Sequence, residues 1–207
     1  NRGAKIYSQF KGYGMSGDSS AYTEEEIVIP EGKLTMRTSG SGDPVLILHG
    51  ELGFPGWRKY HQKLSEQYKV MAPSHPGYDE SDRLEWAMKV SDLAAVYLQV
   101  IDDLNISNIK LIGFSMGGWL AAEMAVMDPG KFSELILVGP MGVKPEEGEI
   151  YDIFLNLAPD FLEESFLNPK SVEEYSLIRP EEPSPEQEEL WEVGREQSAR
   201  LAWKPYM

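Results

Sequence analysis

Hydrophobic positions in this chain fall into two alternating patterns. "VLILHG" (Val45 to Gly50), "YKVMAP" (Tyr68 to Pro73), "IKLIGF" (Ile109 to Phe114) and "ELILVGP" (Glu134 to Pro140) are short, nearly continuous apolar runs closed by Gly or Pro. Such runs read as strands buried on both faces. Between them, "SDLAAVYLQVIDDL" places Leu93, Val96, Tyr97, Val100, Ile101 and Leu104 at helical spacing, with Ser91 and Asp92 as the expected N-cap. "MGGWLAAEMAVM" is a second helix-forming stretch. Strands alternating with helices predict an α/β fold, a mostly parallel sheet with helices on both faces.

The flanks differ. Residues 1–24 are rich in Gly, Ser and Tyr and predict a loop or tail. "EEIVIPEGKLTMRTSGSGDP" predicts two strands around a Pro-Glu-Gly turn, so the core is expected over 25–140. After Pro140 the strands give way to helical patterns such as "IYDIFLNLAPDFLEESFL" and "SPEQEELWEVGREQSARLAW". Residues 141–207 carry 16 Asp plus Glu against 6 Lys plus Arg, or −10 of the total −15. They are expected to form a helical subdomain with a solvated acidic face.

That charge argues against nucleic acid or an anionic membrane as partner, since both select for Lys and Arg. No apolar run approaches the ~20 residues of a membrane span. There is no Cys, which removes disulfides, thiol nucleophiles and thiolate metal sites and fits a cytoplasmic setting. No His/Cys/Asp cluster has metal-ligand spacing, so neither metal nor cofactor is expected. Oligomeric state is left open.

The candidate chemistry lies in Gly113-Phe114-Ser115-Met116-Gly117, a G-x-S-x-G motif followed by Gly118. A strand turning abruptly into a helix strains the serine backbone, and only small residues fit around it. The hydroxyl is then exposed at the carboxyl edge of the sheet, above a helix N-terminus whose free N–H groups favour developing negative charge. Ser115 is the candidate nucleophile. His49-Gly50-Glu51-Leu52-Gly53 closes the first buried strand with a Gly-rich turn, able to bring a second N–H to the same point. His49 itself is read as a structural anchor of that turn.

"LILHGELG", "MAPSHPGYDESD" and "LIGFSMGGWLAAEMA", in that order and spacing, resemble the α/β-hydrolase superfamily, above all its small esterases and carbon–carbon-bond hydrolases. The resemblance covers residues 25–140 and makes the later helical segment a cap. It implies attack by Ser115 on a carbonyl carbon, with the N–H groups of Glu51 and Met116 holding the oxyanion and Leu52 the alternative to Glu51. It places Leu52 and Trp119 at the substrate, although packing explains Trp119 as well. His49, Gly50, Gly113 and Gly117 would be structural. Ser rather than Asp at 115 argues against epoxide hydrolases and haloalkane dehalogenases, and the turn sequence argues against proline iminopeptidases.

In that superfamily the acid and the histidine follow the serine. Here His49, His61 and His75 all precede it; His61 is expected on a surface helix and His75 in a loop. Asp128 and Asp160 lack the post-strand context of the acid. The expectation is a serine hydrolase of a small, moderately apolar ester, thioester or ketone whose remaining machinery lies in a continuation of the chain. The alternatives are a non-catalytic protein that binds a small molecule in the same pocket and an interaction module using the acidic helical face.

Overall fold

The computed structural model describes residues 21–147 and 151–203. Most of the expected N-terminal tail lies outside the described residues. Its last two positions belong to strand β1 (Thr23–Ile29), which pairs antiparallel with β2 (Gly32–Ser39). Pro30 and Glu31 make the turn, and Glu31 takes a positive φ of 66°.

β3 (Pro44–Leu48), β4 (Lys69–Pro73), β5 (Ile109–Phe114) and β6 (Phe132–Val138) are the four predicted buried runs. The six strands form one sheet in the order β1-β2-β4-β3-β5-β6, with β4, β3, β5 and β6 mutually parallel. β2 joins β4 antiparallel, so the hairpin extends one edge of the parallel core. Period-two alternation sends Leu46, Leu48, Met71, Ile109 and Leu111 to one face and Val45, Ile47, Val70 and Ala72 to the other.

Helices α2 (Val90–Asp103) and α3 (Met116–Met127) cover the first face, packing Leu93, Tyr97, Val100, Leu120 and Met124 onto the strands. α1 (Lys59–Ser65) covers the second with Tyr60 and Leu64, next to Trp57 and Tyr68. Burial of these side chains removes apolar area from water at roughly 25 cal/mol per Å² and is the main source of the fold's stability. β6 forms the other edge of the described sheet. Leu135, Ile136, Leu137 and Val138 are each about 40% exposed there, on a strand whose composition suits burial on both sides.

The later segment contains α4 (Ala158–Glu164), a short α5 (Tyr175–Ile178) and α6 (Pro185–Ala202). Ser184 caps α6, its Oγ accepting the Gln187 N–H at 3.2 Å. α6 lies against the core loops: Leu201 enters the main core, and the Arg200 guanidinium donates to the Leu84 carbonyl at 3.2 Å.

Three local expectations are corrected. α2 begins one residue before Ser91, and Asp92 works from inside its first turn, accepting the N–H groups of Met88 (2.8 Å) and Lys89 (3.0 Å). Leu104 falls past the end of the helix and is exposed. The helical pattern from Tyr151 yields turns up to Leu157, because Pro159 has no N–H to give and sits where a helix can begin rather than continue.

Candidate active site

Ser115 sits between the last residue of β5 and the first of α3 with φ 50° and ψ −114°, a conformation that costs a non-glycine residue roughly 1–3 kcal/mol. Hydrogen bonds hold it there. Its N–H donates to the Val138 carbonyl of β6 (3.0 Å), and its own carbonyl accepts N–H groups from Gly118 (2.9 Å) and Met141 (3.0 Å). The strand, the helix and the chain after β6 therefore all fix one residue.

The glycines make room, although for backbone rather than for the serine side chain. A Cβ on Gly113 would lie 2.3 Å from the Gly117 carbonyl oxygen, and one on Gly117 would lie 2.3 Å from that of His49. Close approach of α3 to the ends of β3 and β5 thus requires both. Gly50 faces the site itself, where an added Cβ would come 3.4 Å from the Ser115 Cβ.

His49 hydrogen-bonds both within the turn after β3 and to the loop after β4. This ring's Nε2 accepts the His75 N–H (2.9 Å), and its Nδ1–H donates to the Gly50 carbonyl (2.7 Å). His75 completes the clasp: its Nε2–H donates to the His49 carbonyl (3.0 Å), and its Nδ1 accepts the Tyr97 hydroxyl (2.6 Å). Each partner set fixes a neutral tautomer. Burial pushes the His49 imidazole down to about 3 and His75 well below the usual histidine value.

His61 departs from the expected surface position. It is buried in α1, stacks on Trp57, and accepts the Arg58 N–H on Nδ1 at 3.0 Å. Burial, with Arg58 and Arg37 nearby, lowers it to about 3. None of the three histidines is hydrogen-bonded to Ser115.

A second clasp has no signature in the sequence. The Asp79 carboxylate accepts the Phe54 N–H (2.9 Å) and the Ser74 hydroxyl (2.8 Å), tying the Gly-rich turn to the loop after β4. Arg37 reaches in from β2, donating to Ser74 (2.8 Å) and Glu80 (2.8 Å) and lying 4.3 Å over the Phe54 ring. A strand arginine and a loop aspartate more than 40 residues apart leave no spacing to read.

The Glu51 carboxyl is hydrogen-bonded by Ser115, by its own amide and by the amide of Met116. Its Oε2 stands 3.5 Å from the Met116 nitrogen, and the group also lies against the Ser115 hydroxyl. Burial raises this carboxyl, while its hydrogen bonds from Ser115 and the two amides oppose the rise. Above it, Ser198 of α6 donates to the Glu51 carbonyl (3.0 Å), and Tyr78 meets Ser198 (2.7 Å) and the Met116 sulfur (3.5 Å).

Leu52 turns toward the helical segment, packing with Ala158, Leu162 and Trp191. Trp119 is half-buried beside Gly142, and its Nε1–H donates to Glu123 at 3.0 Å. Among the described residues, no group of three or more His, Cys, Asp or Glu is arranged to hold a metal ion, and no helix is long and apolar enough to cross a membrane.

The sequence profile described as alpha/beta hydrolase fold matches residues 43–171, more than half of the chain. The chain belongs to the α/β-hydrolase fold family. Within that family it is 29% identical over 143 residues to 2-hydroxymuconate semialdehyde hydrolase of Pseudomonas sp. (strain CF600), covering 67% of this chain and 50% of the relative. It is 30% identical over 117 residues to 2-hydroxy-6-oxo-6-phenylhexa-2,4-dienoate hydrolase of Burkholderia cepacia, covering 54% and 41%. The chain thus spans about half the length of the curated relatives it matches. Among solved structures, an esterase from Exiguobacterium antarcticum superposes with a TM-score of 0.61 at 25% identity, over 86% of this chain and 72% of that one. A bacterial membrane phospholipase A superposes with a TM-score of 0.68 at 21% identity, over 95% and 65%, a likeness of fold.

Two outcomes follow from the packing. Gly117→Ala is expected to destabilise the fold by about 2 kcal/mol or more, because backbone on both sides would have to part. Chemical denaturation checks this, and an unchanged midpoint contradicts it. His61 is held neutral in the folded chain, so below its ordinary value near 6.5 the unfolded chain binds the extra proton and stability falls with pH. Stability lost between pH 7 and pH 5 should therefore be greater in the wild type than in His61→Gln, by about 2 kcal/mol. Equal losses contradict the assignment, and the comparison cancels the opposite pull of the raised carboxyls Glu51 and Asp79.

Proposed function

We propose that this protein is a serine hydrolase working through an acyl-enzyme on Ser115. The observation that carries the reading is the strained serine at the β5–α3 corner, with the amides of Glu51 and Met116 converging beside its hydroxyl. The Ser115 oxygen attacks a carbonyl carbon, and the carbonyl oxygen takes up negative charge facing the two N–H groups. Collapse of that adduct expels the leaving group with a proton, and water then hydrolyses the acyl-enzyme. The reading needs a base for the Ser115 proton and an acid behind it, which the resemblance places after β6, beyond the stretch matched here.

The substrate class we infer is a small, moderately apolar ester, thioester or ketone-type molecule cleaved beside its carbonyl. Two relatives are named as hydrolases of oxo-acid or semialdehyde compounds and a third as an esterase, which supports carbonyl-centred hydrolysis. Residues 141–207 would be the cap over that substrate, with Leu52 and Trp119 at its boundary. No cofactor, metal or nucleic-acid partner enters the proposal, and the cytoplasm is the proposed location.

Hydrolysis of short-chain p-nitrophenyl esters by the full-length protein tests this reading. Ser115→Ala should lower kcat by about 10³-fold or more while leaving the fold intact by circular dichroism. Ester hydrolysis that is unchanged in Ser115→Ala would exclude Ser115, and a folded wild type that turns over no ester would favour a binding protein of the same fold.

A further inference from the structure

The sequence assigns position 51 a backbone role only, because an oxyanion donor needs an N–H and any side chain supplies one. The structure adds a carboxyl. It is 2% exposed, so its placement beside Ser115 is enforced by packing rather than by solvent. Ser198 and Gly194 of α6 press on the backbone of the same turn: Ser198 bonds the Glu51 carbonyl, and a Cβ on Gly194 would stand 2.9 Å from that oxygen. With the turn clamped from above, the side chain is directed down toward Ser115 and Met116.

A carboxyl oxygen and a substrate carbonyl oxygen ask for the same thing, two N–H donors at hydrogen-bond distance. They cannot occupy one point together. We propose that the Glu51 carboxyl is an internal occupant of the position meant for the substrate's carbonyl oxygen, and that Ser115 reacts only when this side chain gives way. The proposal rests on Ser115 being the nucleophile.

The hold is loose enough to be exchanged. At 3.5 Å from the Met116 nitrogen, the contact is longer than a well-made N–H···O bond. Charge decides how readily it yields. An ionised carboxylate accepts from both amides and from the serine hydroxyl, and it repels the negative charge that develops on a substrate oxygen. A neutral carboxyl is the weaker acceptor and lacks that repulsion. Burial favours the neutral form, so the group changes state above the usual carboxylate range.

The titratable and charged groups around the turn are few. His49 opens the turn after β3, and His75, Tyr78 and Asp79 lie in the loop after β4, with Arg37 of β2 behind Asp79. From α6, Arg195 and Glu196 are engaged with Glu192 and Arg83. Both histidines are neutral well below pH 6, and burial raises Tyr78 far above neutrality. Burial raises Asp79 as well as Glu51, but Asp79 is tied to the Phe54 N–H and the Ser74 hydroxyl and is common to wild type and Glu51 variants, so the comparison isolates Glu51.

The test is the second-order rate of labelling by a fluorophosphonate probe, whose phosphoryl oxygen seeks the same two amides. Full-length wild type, Glu51→Gln and Glu51→Ala are compared at pH 6 and pH 8, with circular dichroism to establish folding and mass spectrometry to place the label. Glu51→Ala should label about tenfold faster than wild type at pH 8. The advantage of Glu51→Gln over wild type should shrink as pH falls, since the buried carboxyl takes up its proton above the usual carboxylate range. A wild type that stays unlabelled while Glu51→Ala labels supports the proposal outright. Labelling of both folded variants at the wild-type rate or slower, at both pH values, overturns the Glu51 proposal and leaves the hydrolase reading standing. Absence of label in all three folded proteins overturns the Ser115 reading and the Glu51 proposal with it.

Discussion

The structure turns on one forced backbone conformation. Ser115 must hold φ 50° so that β5 can end and α3 begin within a single residue. That cost, roughly 1–3 kcal/mol, is offset by hydrogen bonds from three directions and by the close seating of α3 on the strand ends. Gly113 and Gly117 permit the seating, since a methyl group at either would strike backbone. Once the corner is made, the hydroxyl and the Met116 amide are presented together without any further choice of side chain.

Everything else at the site brings the second strand end to that corner. β3 runs beside β5, pairing Leu48 with Gly113, so the turn after β3 arrives next to Ser115 by register alone. The His49–His75 clasp then fixes the turn from one side, and Asp79, held by Ser74 and Arg37, fixes it from the other. α6 closes it from above.

Local pattern carried most of this. The four parallel strands, α2 and α3 and the glycine spacing around Ser115 are written in contiguous residues, where period and turn chemistry operate. His61 escaped for a local reason: it looks like a surface residue from its polar neighbours, yet the Arg58 N–H and the Trp57 ring, just before it in the chain, close over it. The rest of what escaped is long-range. Asp79 and Arg37 meet from distant segments, and no spacing announces them. The place of the Glu51 side chain was opaque, because the turn that carries it is pressed by Gly194 and Ser198, more than 140 residues further along. The helical pattern at Tyr151 was overread for a local reason, since Pro159 decides where that helix starts.

The central claim is that Ser115 becomes covalently acylated, and the chain offers a clean way to see it. Trypsin releases Leu111 to Lys131, a peptide in which Ser115 is the sole hydroxyl side chain. Full-length protein mixed with a slowly deacylating ester and quenched in acid should show that peptide heavier by the mass of one acyl group, and Ser115→Ala should not. Turnover of the ester with this peptide unmodified at every quench time, and an acyl group found on another segment, would contradict the account.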